Sequence, residues 1–157
     1  MPEAAEIRTA IQTLMQGVAD MGVVHDYERY TKHPAEFRAL YLEQDPDTGK
    51  DRIRGWYVRR LARREASDYN GRTRVTMTWR IQGYVSLDDE TATEKVFDAL
   101  LDALVAAFRA DETLGSVVDS TIVGQDAGLQ IEDTGPVYFG GVLCHSARGR
   151  LMTQHFI

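Results

Sequence analysis

Val75-Thr76-Met77-Thr78-Trp79-Arg80-Ile81-Gln82-Gly83-Tyr84-Val85 alternates residue by residue between two kinds of side chain. Val75, Met77, Trp79, Ile81, Gly83 and Val85 make one set and Thr76, Thr78, Arg80, Gln82 and Tyr84 the other, the period of two that gives each set one face of a β-strand. The first set is built for a core. Ser86-Leu87-Asp88-Asp89-Glu90 ends the strand, and Thr91 with Glu94 three residues on has the form of a capping box, so a helix is predicted to start close to Thr91. Val96, Phe97, Leu100, Leu101, Leu104, Val105 and Phe108 then recur at a period of 3.6, a wide apolar stripe opposite Lys95, Asp98, Asp102 and Arg109. Asp111-Glu112-Thr113-Leu114-Gly115 closes the helix.

Upstream, Ser67-Asp68-Tyr69-Asn70-Gly71 reads as a hairpin loop, with Asn-Gly supplying the positive φ of a tight turn. It predicts that a strand over Arg52 to Glu65 pairs antiparallel with Arg72 to Val85. Asp45-Pro46-Asp47-Thr48-Gly49-Lys50 is a turn by composition and lacks the spaced ligands of a calcium loop. Ile7, Ile11, Leu14, Met15, Val18 and Met21 predict a first helix from Pro2 to Met21, stopped by Gly22. Val23 to Tyr30 reads as a strand ended by His33-Pro34. Ala35 to Glu43 fits a helical turn (Phe37, Leu40, Tyr41) or a strand (Phe37, Ala39, Tyr41), and is taken as irregular or short helical. Downstream, strands are expected at Val117 to Gly124 and Leu129 to Ile131, then a strand or hairpin from Val137 to Gln154, broken or bulged at Gly140-Gly141. The fold class is therefore α+β: a mostly antiparallel sheet with two main helices packed on one face and a protruding β-hairpin, in a single domain over 1–157.

With 157 residues, 43% of them hydrophobic, the chain can bury one substantial core. A formal charge of -6 argues against a general nucleic-acid binder. The single cysteine, Cys144, excludes an intramolecular disulfide and fits a reducing compartment. Met1 to Glu6 lacks the basic and apolar regions of a signal peptide, and no apolar run approaches the roughly 20 residues of a membrane span, so synthesis and residence in the cytosol are expected.

No catalytic constellation stands out. His25, His33, His145 and His155 form no helical i, i+4 pair, and Cys144 and His145, adjacent on a strand, would face opposite sides. Cys144 is expected to be a small buried apolar residue. No glycine-rich phosphate loop joins a strand to a helix. Asp88-Asp89 and Asp111-Glu112 lie at helix ends, where capping explains them. No catalytic, cofactor or metal residues are assigned. The concentrated feature is basic: Arg52, Arg54, Arg59, Arg60, Arg63 and Arg64 fall within thirteen positions of an acidic chain. With Trp56, Tyr57 and Tyr69 they read as an interface arm with aromatic anchors, and Asp98 and Asp102 as part of its acidic complement.

Ile7-Arg8-Thr9-Ala10-Ile11, the strand Val75 to Val85, and Glu94-Lys95-Val96-Phe97-Asp98-Ala99-Leu100 through Asp111-Glu112-Thr113-Leu114-Gly115 carry a resemblance in layout. The chain resembles the tail-terminator proteins of tailed bacteriophages, the group that includes the minor tail protein U of lambdoid phages. It departs from the shorter members at Phe37 to Lys50 and in its long basic hairpin. The resemblance implies a non-enzymatic virion protein, assembled in the host cytoplasm, that forms a hexameric ring on the tail tube, stops its growth and offers a surface to the head connector. Its implied partners are copies of itself, the tail-tube protein and a connector or neck protein, with DNA passing through the ring and no membrane. Two other classes remain open: a small enzyme or ligand-binding domain with a pocket between the sheet and the helix near 91–110, joining His25, His145 and Tyr84, and a DNA-contacting neck component using the arginine arm.

Overall fold

A computed structural model describes residues 2–68 and 70–157. Its centre is the strand of the alternating stretch, β4 (Thr73–Ser86), whose residues at 75, 77, 79, 81, 83 and 85 are all buried. The chain order is α1 (Ala4–Gln16), β1 (Val23–His25), α2 (Pro34–Ala39), β2 (Leu42–Gln44), β3 (Asp51–Ser67), β4, α3 (Thr93–Ala110), β5 (Ile122–Val123), β6 (Asp126–Ala127), β7 (Gln130–Phe139) and β8 (Val142–Phe156). The main sheet has the order β1-β3-β4-β8-β7, with β2 also on β3. Only the β1–β3 pair is parallel. The fold is α+β with a mostly antiparallel sheet.

One face of the sheet is covered by α1 and α3. Ile7, Ile11 and Met15 recur at intervals of four and pack with Phe97, Leu100, Leu101, Leu104 and Phe108 against Trp56, Trp79, Ile81 and Leu151. Both buried indoles are satisfied: Trp56 Nε1 donates to the Met21 carbonyl at 2.9 Å and Trp79 Nε1 to Thr153 Oγ1 at 3.1 Å. The opposite face is covered at one end only. There α2 lays Phe37 and Leu40 over Tyr41, Tyr57, Tyr84 and Phe139.

Several boundaries differ from expectation. The first helix stops at Gln16, because Asp20 and Gly22 adopt positive φ and turn the chain toward Arg54. The strand expected through Tyr30 ends at His25, after which the chain crosses to the opposite face, where Tyr41 Oη donates to the Arg29 carbonyl. Ala35 to Glu43 divides into α2 and β2. The capping box at Thr91 does not form. Asp89–Thr91 is a single 3-10 turn, Ala92 at φ 54° precedes the helix, and Thr93 Oγ1 bonds Asp88 instead. Val117 to Gly124 is mostly turns, with only Ile122–Val123 paired in a small hairpin and Ser120 bridged to Gln154. The last region is a true hairpin, β7 and β8, turning at Gly140-Gly141.

Candidate interaction surfaces

The basic stretch begins in a covered place. β2 pairs with Ile53, Arg52 and Asp51, and β1 with Gly55, Trp56 and Tyr57, so the outer edge of β3 is occupied up to Tyr57. Helices cover one face there and the aromatic cluster the other, which buries every residue from Ile53 to Val58. Trp56 and Tyr57 are therefore not exposed anchors. Trp56 is core, and Tyr57 Oη donates to Gln82 Oε1 at 2.8 Å, its hydroxyl pKa raised by burial. Arg54 is buried too, donating to the Asp20 carbonyl at 3.1 Å, and burial lowers its pKa. Arg52 is held by Glu43 and Asp45. These interactions brace the start of the hairpin. Tyr69 lies outside the described residues.

Past Val58 the hairpin extends beyond β1 and β2, and the outer edge of β3 has no strand partner among the described residues. Arg59, Arg60, Arg63 and Arg64 are exposed along it, with Leu61 44% exposed between them. A bulge at Leu61 interrupts the ladder between Arg60 and Ala62. It sorts the arginines: Arg60 and Arg63 stand opposite Trp79 and Met77 on the helix-covered side, while Arg59 pairs with Arg80 and Arg64 with Thr76 on the other. Arg59 meets Glu28 at 3.2 Å and Arg63 meets Glu65 at 2.7 Å.

The other margin of the sheet is β7, ten residues whose outer edge is likewise unpaired among the described residues. Its exposed side chains include Glu132, Asp133, Val137 and Tyr138, the last 76% exposed. Glu94 and Asp98 from α3 share a cleft with Thr134, Gly135 and Pro136 of β7, so the acidic face of the helix adjoins this margin. Glu94, Asp98 and Asp102 form an exposed ladder at i, i+4 steps. Each such like-charge pair costs the isolated helix roughly 0.2–0.5 kcal/mol.

The residues of the pocket reading do not converge. His145 lies on the helix side against Phe97, its Nε2 2.8 Å from Thr93 Oγ1. Tyr84 and His25 lie on the opposite side; His25 Nε2 is 2.6 Å from the Leu40 carbonyl and its ring abuts Tyr41. The sheet separates them. Cys144 is fully buried beside the aromatic cluster, and burial pushes its thiol up to about 11, away from the reactive thiolate. No protein-family model matches the chain, and no curated protein is significantly similar to it.

Proposed function

We propose that this chain is a non-enzymatic assembly subunit that associates head to tail into a closed ring, and that the ring terminates a phage tail tube and receives the head connector. The observation that carries the ring is the pair of margins, unpaired among the described residues, on opposite sides of one sheet. One is basic, with Arg60 and Arg63; the other is acidic, with Asp133, Glu94, Asp98 and Asp102. A patch that fits a different patch on the next copy is a heterologous interface, which closes into a ring when the rotation permits. Opposite charge selects that pairing over self-association of like margins. Unpaired edge strands also invite strand addition, and the two free edges are of similar length. The tail-tube role rests on the resemblance in layout described above.

Negative-stain electron microscopy and light scattering test the reading. The purified chain should give rings of about six copies, and Arg60→Glu with Arg63→Glu should reduce them to monomers. Adding Asp98→Lys and Asp102→Lys to that variant should restore rings. A chain that stays monomeric at every concentration and does not bind tail tubes would refute the proposal.

A further inference from the structure

The face of the sheet away from α1 and α3 is roofed by α2 at one end and open at the other. Across the open part, Arg59 of β3, Arg80 of β4 and Arg150 of β8 are direct cross-strand neighbours. Arg148 lies two residues along β8, opposite Gln82, and Arg64 and Arg74 continue the same face toward the hairpin tip. Strand spacing places the three central guanidinium-bearing positions within about 10 Å, and Arg74 stands about 20 Å along β4 from Arg80. Like charges directly opposite destabilise a sheet. Carboxylates relieve only the flanks of this row: Glu28 meets Arg59, and Asp126 and Glu132 meet Arg150 at 2.9 and 3.2 Å. Asp133 is the remaining acid on this face, in register with Arg148. Arg64, Arg74, Arg80 and Arg148 have no carboxylate partner among the described residues, and the Nε of Arg80 is buried without a hydrogen bond.

The other side chains here include Thr76, Thr78, Gln82 and Gln154, with Ala62, Ala66, Val123, Met152 and Phe156 as the apolar ones, all but Val123 toward the hairpin tip or along β8. A protein partner would need an apolar or aromatic anchor at the centre of such a patch. A single-stranded nucleic acid would need free aromatic rings to stack its bases, whereas the Phe156 ring is covered by the Arg72 guanidinium at 4.2 Å and Tyr84 and Phe139 stack on each other beneath α2. Arginine, hydroxyl and amide groups without an aromatic platform are the groups that contact phosphates and sugars of a duplex. We propose that this open arginine face binds the phosphate backbone of duplex DNA without reading its sequence. The acidic total of the chain does not oppose this, because on this face arginines outnumber the carboxylates Glu28, Asp126, Glu132 and Asp133.

Fluorescence anisotropy of the full chain with a labelled mixed-sequence duplex tests it. Four to five phosphate contacts should make log affinity fall against log salt with a slope of about -4, and Arg148→Gln and Arg74→Gln should each reduce that slope by about 1. Both positions are exposed, so circular dichroism of these variants should match the parent. Arg60→Gln with Arg63→Gln, on the other side of the hairpin, should leave the slope unchanged. Failure to bind the duplex at about 50 mM salt would overturn the proposal. Tighter binding of single-stranded DNA, or capture of polyglutamate in place of DNA, would overturn it in favour of a different occupant. Loss of DNA binding only in the Arg60 and Arg63 variant would also overturn it and return the contact to the ring margin.

Discussion

Gly83 has no side chain because the Trp56 ring occupies the place its Cβ would take on the neighbouring strand. Gly83→Ala should therefore destabilise by about 1–3 kcal/mol in urea unfolding, the usual cost of overpacking, and the loss should shrink when Trp56→Leu makes room, a coupling that a double-mutant cycle reads directly. His155 is a second sensitive residue. It is buried, its Nδ1 lacks a hydrogen-bond partner among the described residues, and burial lowers its pKa, with Arg63 adding to the effect and Asp119 opposing it. Below the ordinary histidine range of about 6.5, the unfolded chain takes up a proton that the folded chain refuses. Stability should fall as pH drops from about 7 through that range, and His155→Gln should flatten the fall in thermal melts. The arginine and carboxylate types at the margins were legible in the sequence; the burial of Trp56 and Tyr57 was not. Trp56 lies under the helices and Tyr57 in the cluster beneath α2, while β1 and β2 close the edge beside them; α2, with six residues, and β1 and β2, with three each, are too short to show a period. The bulge at Leu61 was equally silent, although it determines which arginines share a face.

At the scale of elements, β4 and α3 were readable because each holds its period over many residues, and packing agrees with the pattern. Their junction was not. A capping box at Thr91 was locally reasonable, yet the chain reaches α3 through Ala92 in the left-handed region, so that Thr93 can serve both Asp88 and His145. That geometry costs an alanine about 1–2 kcal/mol, and glycine gives back roughly 0.5–1 kcal/mol of it through its greater unfolded freedom. Ala92→Gly should accordingly raise stability by about half a kcal/mol, measurable as a later midpoint in chemical denaturation. Within α3, Leu104 is fully buried at the centre of the stripe, and Leu104→Ala should cost about 2–5 kcal/mol. The acidic ladder on the opposite side of the same helix should behave differently: Asp98→Lys should leave the melt of the monomer unchanged or raise it slightly, while weakening assembly.

For the whole molecule, hydrogen exchange separates the interior of the sheet from its margins. Amides of β4, and of β8 up to Arg150, paired on both sides, should exchange only through global unfolding, and those on the outer edges of β3 past Val58 and of β7 through local opening. On assembly the two margins should gain protection together if they meet each other, and the arginine face should not. The order of strands also carries a kinetic meaning. β8 is synthesised after β1 to β7 but lies between β4 and β7, and it pairs with β4 from Cys144 to Phe156. Until residues 142–156 have left the ribosome, the whole inner edge of β4 stands open beside an incomplete core, and many of the native contacts are of long sequence separation. Such a domain should fold slowly, after translation of β8, and in the proposed ring a subunit without β8 would be unable to join a neighbour: the topology itself would withhold assembly until that strand is in place.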